Sequence, residues 1–275
     1  MLKRKITDWD NAYANMPNIP DGEGFQHRWE EKAGKFRESG NFASKREQIA
    51  YGSGERNFYD LFEPQGTPKG TAIIVHGGYW MRFGPRHFSH LAAGPLANGW
   101  AVATPSYTLC PDVTIAQITA EISAAVEHIA ANTDGPIVLC GHSAGGHLVT
   151  RMMCAGGPPT DGVKDRVERV LSISGVHDLR PLLNLELNAT LRLDAETAAA
   201  ESPALLQPAL PCDLICWAGA GERAEFLRQN ALLASVWLGL GATTTCVEEP
   251  DRHHFDVIEG LEQASSAMTR ALLGL

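Results

Sequence analysis

Pro136-Ile137-Val138-Leu139-Cys140-Gly141-His142-Ser143-Ala144-Gly145, followed by Gly146-His147-Leu148-Val149-Thr150-Arg151-Met152-Met153, is the stretch that decides how this chain is read. The apolar run up to Cys140 predicts a buried strand, and the residues after Gly145 predict a helix. Between them lies Gly-x-Ser-x-Gly. A strand, a sharp turn with that pattern and then a helix form a nucleophile elbow, in which the serine hydroxyl stands clear of the sheet. Glycines suit it because the turn is strained and its neighbours pack closely. The pentapeptide alone is weak, since glycine and serine are common; the strand and helix around it give it meaning.

Working outward, apolar runs alternate with helical periodicity. Phe58–Phe62 alternates and ends at Pro64, which predicts an antiparallel edge strand. Thr71–Val75, Ala101–Thr104, Ile137–Cys140, Val170–Ser174 and Leu214–Trp217 are continuous apolar runs, as central parallel strands require. Thr243–Val247 is β-branched and predicts the last strand. Ile115, Ile118, Ile122, Val126 and Ile129 recur every three or four residues, which marks the buried face of a helix. Phe226, Leu232, Leu233, Val236 and Leu240 repeat this less cleanly. A third stripe runs from Val257 through Leu261 and Met268 to Leu272. Strands alternating with helices imply an α/β fold: a doubly wound, mostly parallel sheet with helices on both faces. Residues 1–45 are polar and read as an N-terminal arm or helical lid. Residues 46–275 read as one domain, with a small helical cap inserted at about 179–211, where no strand is visible.

Length and charge narrow the class. The 275 residues suffice for one large domain, and a hydrophobic content of 44% supports a core without metals or disulfides. A formal net charge of −9 argues against nucleic acid or an anionic membrane as partner. Lys3-Arg4-Lys5 is too short a basic run to anchor anything. The first nine residues show no apolar leader core, and no apolar run reaches transmembrane length, so a cytoplasmic protein is expected. Six scattered cysteines form no C-x-x-C pair, and several fall in apolar strand-like segments, where they read as reduced core thiols. His76, His87, His90, His142 and His147 match no zinc spacing, and no phosphate-binding glycine loop is present, so neither a metal nor a cofactor is expected. A small-molecule substrate is the expected partner; a homodimer is compatible with the composition, which does not fix oligomeric state.

A serine hydroxyl needs a base to take its proton. On such a sheet the catalytic groups follow in the order serine, acid, histidine. The last strand is followed by Asp251-Arg252-His253-His254-Phe255-Asp256, which offers His253 and His254. His254 is favoured because it abuts the following helical segment. The acid should follow Leu214–Trp217, and Glu222 is the first carboxylate there, with Glu225 already on a helix. Asp178, after the preceding strand, competes with Glu222, although it equally suits the N-cap of a short helix. An oxyanion hole needs two backbone N–H donors. Ala144, directly after the nucleophile, supplies one. The loop His76-Gly77-Gly78-Tyr79-Trp80 supplies the other, with Gly78 as donor and Gly77 as its support. His76 reads as a structural hydrogen-bonder.

Taken together, His76-Gly77-Gly78-Tyr79-Trp80, Gly141-His142-Ser143-Ala144-Gly145, Val176-His177-Asp178-Leu179-Arg180-Pro181-Leu182 and His254-Phe255-Asp256 resemble the kynurenine formamidase (arylformamidase) branch of the α/β-hydrolases, over about residues 45–260. The resemblance implies Ser143 as nucleophile and His254 as base. That family usually has an aspartate three residues ahead of a Glu-Phe pair; here Glu222 stands before Glu225-Phe226. The implied reaction is hydrolysis of an N-formyl anilide to formate and an aromatic amine. Tyr79 and Trp80 would flank the aromatic leaving group or else pack the loop against the core. A carboxylesterase for short acyl groups with the same triad is the alternative, and a non-catalytic ligand-binding relative is a third.

Overall fold

The computed structural model describes residues 5–275; Lys3 and Arg4 of the basic run, and the first four of the nine residues read for a leader, lie outside them. Eight strands make one sheet: β1 (Ser44–Ala50), β2 (Phe58–Glu63), β3 (Thr71–Val75), β4 (Ala101–Pro105), β5 (Ile137–His142), β6 (Val167–Ile173), β7 (Asp213–Gly219) and β8 (Thr243–Glu249). Their order is β1-β2-β4-β3-β5-β6-β7-β8. β1 and β2 run antiparallel to their neighbours, and every pairing from β4 to β8 is parallel. This is the sheet of an α/β-hydrolase.

The central strands are apolar throughout because both faces are covered. Ile73, Val75, Ile137 and Leu139 face one core, where they meet Ile115, Ile118, Ile122, Val126 and Ile129 of the helix Ile115–Ala131. Ala72, Ile74, Val138 and Cys140, the alternate positions of the same strands, face the other core with Trp29, Phe36 and Leu272. The helix Ile115–Ala131 starts at a capping box, in which Thr114 Oγ1 accepts the Gln117 N–H and the Gln117 side chain accepts the Thr114 N–H.

Two features, the edge of the sheet and the C-terminal stripe, differ from the sequence reading. β2 is not the edge strand; β1 lies outside it and spans the expected arm boundary at residue 45/46. β1 is polar and mostly exposed, with an irregularity between Arg46 and Ile49, so it carries no alternating signal. The arm contains the fifteen-residue helix Gly24–Glu38, whose Trp29, Ala33 and Phe36 are buried. The C-terminal stripe is not one helix but a 3₁₀ segment, Val257–Glu262, and the helix Ala267–Leu273 begun by the Ser266 cap. Of the cysteines, all free, Cys246 is exposed because it sits on the outer strand β8. Between Arg180 and Leu205 the chain forms short helical pieces punctuated by prolines. No described helix is long and apolar enough to cross a membrane.

Ile122 is fully buried where its helix meets the sheet. Ile122→Ala should cost about 2–5 kcal/mol of stability, measured by denaturant unfolding, through lost burial and an unfilled cavity.

Candidate active site

β5 ends at His142, and the helix Ala144–Met152 starts two residues later. Ser143 bridges them at φ 56° and ψ −115°, a conformation that costs a non-glycine residue about 1–3 kcal/mol. The neighbouring strand holds it there: the Ser143 N–H donates to the Ile173 carbonyl at 2.8 Å. A Cβ on Gly145 would stand 2.1 Å from the Val75 carbonyl oxygen, and one on Gly141 would stand 2.1 Å from the Gly145 oxygen. The glycines of the elbow are therefore required by close approach of backbone to backbone.

Glu222 lies in the loop after β7, and its side chain is fully enclosed. Its Oε1 accepts from the Gly219 N–H at 2.8 Å and from Ser174 Oγ at 2.5 Å. Its Oε2 accepts from His254 Nδ1 at 2.7 Å. That bond places the proton on Nδ1 and leaves Nε2 as the basic nitrogen. The His254 main chain is tied down as well, because its carbonyl accepts from His142 Nε2 at 2.8 Å. A carbonyl can only accept, so His142 carries its proton on Nε2. Burial, and then the neighbouring His254, hold the His142 pKa well below the usual imidazole value and keep the ring neutral. Phe226 packs against the His254 ring at 4.4 Å between centroids.

The other candidates have different partners. His253 Nδ1 accepts from the N–H groups of Phe255 and Asp256 in its own turn, and its ring packs edge-on against Phe25. Glu225 takes Arg228 and the Tyr13 hydroxyl. Asp178 accepts from the Arg180 N–H at 3.1 Å and from its guanidinium at 2.8 and 2.9 Å. Burial would raise the Asp178 carboxyl, but these bonds outweigh it and hold its pKa below the ordinary value. No hydrogen bond joins Ser143 Oγ to His254. Contacts of that kind commonly tighten only with substrate in place.

Gly78 has φ +112°, and its carbonyl accepts from Met81 and Arg82 at 3.0 and 2.9 Å. A Cβ on Gly77 would lie 2.6 Å from the His142 oxygen and 3.1 Å from Ser143 Cβ, so this loop presses on the elbow. Neither the Gly78 N–H nor the Ala144 N–H donates a hydrogen bond within the described residues, leaving both for an incoming oxygen. His76 Nδ1 donates to the Gly77 carbonyl at 2.8 Å and its ring stacks on Tyr107, while burial pushes its pKa down to about 3.

Ser143, His254, Gly77 and Gly78 line one cavity of about 290 Å³. Tyr79 lines it too and donates its hydroxyl to the Tyr13 carbonyl. Trp80, expected beside the substrate, does not: it is fully buried, edge-on to His147 at 5.2 Å. Two successive residues with positive φ turn their side chains apart, one to the cavity and one to the core. Trp29, Phe83, Phe88 and Phe255 give the cavity aromatic walls, and Tyr13 to Pro17 of the arm complete it. The reading of the sequence missed these arm residues. The signal was thin: Tyr13 is one buried aromatic in a polar stretch.

A family described as BD-FAE matches residues 59–206. The chain belongs to the BD-FAE family. Kynurenine formamidases of Salmo salar and Drosophila melanogaster are 27% and 28% identical to this BD-FAE member, each alignment covering 82% of this chain and 80% of the relative. A Silicibacter sp. TM1040 crystal structure, provisionally called a thioesterase, superposes with a TM-score of 0.92 at 43% identity, over 97% of this chain and 99% of that one. An esterase of Pyrobaculum calidifontis shares the fold, with a TM-score of 0.69 at 16% identity over 97% and 96% of the two chains.

Asp178→Asn should cost about 1 kcal/mol at neutral pH, with turnover falling less than threefold. Because the folded pKa of Asp178 is depressed, its contribution is present above the unfolded pKa and is lost as pH falls through the folded value. Unfolding curves of the two proteins should therefore converge in acid. A large loss of turnover instead would make Asp178 the acid.

Proposed function

We propose that this hydrolase is a serine enzyme that removes a small acyl group, formyl above all, from an aromatic amide of the N-formylkynurenine type. The observation that carries the reading is His254, bonded to the buried Glu222 and lining the same cavity as the elbow serine and Gly78, with the Gly78 and Ala144 N–H groups uncommitted. His254 Nε2 takes the proton of Ser143 Oγ as the oxygen attacks the formyl carbon. The oxyanion accepts from Gly78 and Ala144, each such donor typically being worth about 3 kcal/mol in the barrier. The C–N bond then breaks, His254 protonates the leaving anilide nitrogen, and a formyl-serine ester remains. Water, deprotonated by His254, attacks that ester and releases formate. Glu222 holds the ring in the required tautomer and stabilises the imidazolium.

The aromatic walls suit an aryl leaving group, and the kynurenine formamidases matched over most of their length point to the formyl amide. A short-acyl esterase or thioesterase is the second reading, favoured by the description of the Silicibacter protein. Comparing kcat/KM on N-formylkynurenine, phenyl acetate and a short acyl thioester separates them. Brisk ester or thioester cleavage beside negligible formamide turnover would replace the first reading with the second. Ser143→Ala should remove about 10⁶-fold of turnover and abolish labelling by a fluorophosphonate, and Glu222→Gln should remove about 10⁴-fold. Wild-type protein that neither forms an acyl-enzyme nor takes the label would be a binding protein instead.

A further inference from the structure

Among the described residues, Arg82 is the only lysine or arginine that lines the cavity. Its backbone is fixed close to the reacting centre, because its N–H donates to the carbonyl of Gly78, the proposed oxyanion donor, at 2.9 Å. The next residue is fixed too: the Phe83 carbonyl accepts from Arg56 Nη2 at 2.6 Å. The Arg82 side chain, by contrast, is exposed, and its guanidinium makes no hydrogen bond or ion pair among the described residues. Arg56 spends its guanidinium on the Tyr107 and Phe83 carbonyls, and Arg28 spends its own on Asp21. The same cavity carries two carboxylates from the arm, Asp10 and Glu23. Asp10 accepts from the Glu186 N–H at 2.8 Å, whereas Glu23 has no partner among the described residues. The cavity thus sets one uncommitted cation and one uncommitted anion around a largely aromatic space, in a protein whose net charge of −9 would otherwise repel an anionic substrate.

We propose that Arg82 is a specificity-determining residue that binds a carboxylate on the leaving group, with Glu23 facing an ammonium on the same group, so that the preferred substrates are acylated aromatics bearing a zwitterionic amino-acid head. This deepens the proposed function and rests on it for the identity of the acyl bond. A guanidinium matches a carboxylate in a two-pronged, charge-assisted pairing that a neutral substrate cannot make. It acts on binding rather than on the chemical step, so its effect belongs in KM.

The test is the ratio of kcat/KM for N-formylkynurenine to that for its analogue lacking the carboxylate, in wild type, Arg82→Ala, Arg82→Lys and Arg82→Glu. Arg82→Ala should lower that ratio about ten- to a hundredfold, chiefly through KM. Arg82→Lys should restore part of it, and Arg82→Glu should lower it further. Raised salt should shrink the wild-type preference. An unchanged ratio, or equal losses on both substrates, overturns the inference. If the wild type leaves both formamides intact, the formamidase reading has failed, and the role of Arg82 is decided by the same ratio for O-acetyltyrosine over phenyl acetate.

Discussion

The site depends on how closely three backbone segments meet at the elbow. The end of β5, the first turn of its helix and the end of β3 approach so nearly that Gly145 has no room for a methyl group beside the Val75 carbonyl. Ser143 is held in a disfavoured conformation at that junction. The strain persists because each neighbour is itself buried in a sheet covered on both faces. The same closeness brings the Gly77–Gly78 loop, which follows β3, against Ser143. The proposed nucleophile and oxyanion donors are therefore set by one packing constraint rather than by two independent loops.

The proposed acid and base are positioned differently. Glu222 and His254 come from loops after β7 and β8, strands paired in parallel along seven residues each. Their bond is enclosed, and each has a second tether: Glu222 through Ser174 and Gly219, His254 through His142. With three donors on its two oxygens, the buried Glu222 carboxylate is fixed in place and orients the ring. His142 belongs to the elbow pentapeptide, so the nucleophile's turn also grips the main chain of the proposed base.

Much of this was legible because its causes are local. Central parallel strands are apolar at every position, and the elbow has a compact pattern of glycines. The placement of Glu222 and His254 followed from which strands they come after. What was hidden had other causes. β1 is a polar edge strand, and nothing in Ser44–Ala50 alternates. Trp80 was expected at the substrate because it adjoins Tyr79, but here two successive residues with positive φ send their side chains apart, and neither residue type announces that backbone conformation. The arm contributes to the cavity through a few positions separated by exposed ones, a pattern too sparse to distinguish from a loose terminus.

Tyr13 links these parts. Its hydroxyl donates to Glu225, three residues beyond Glu222, at 2.9 Å, and its carbonyl accepts from Tyr79, beside Gly78. The partners in the first of these bonds are 212 positions apart in the chain. A segment made early by the ribosome thus borders a pocket that also takes His254 and Phe255 from near the end of the chain. During synthesis the nucleophile turn can form while the pocket around it is still unroofed. Long-range closure of this kind is slow compared with helix formation, and the arm cannot make the Tyr13–Glu225 bond until Glu225 has left the ribosome.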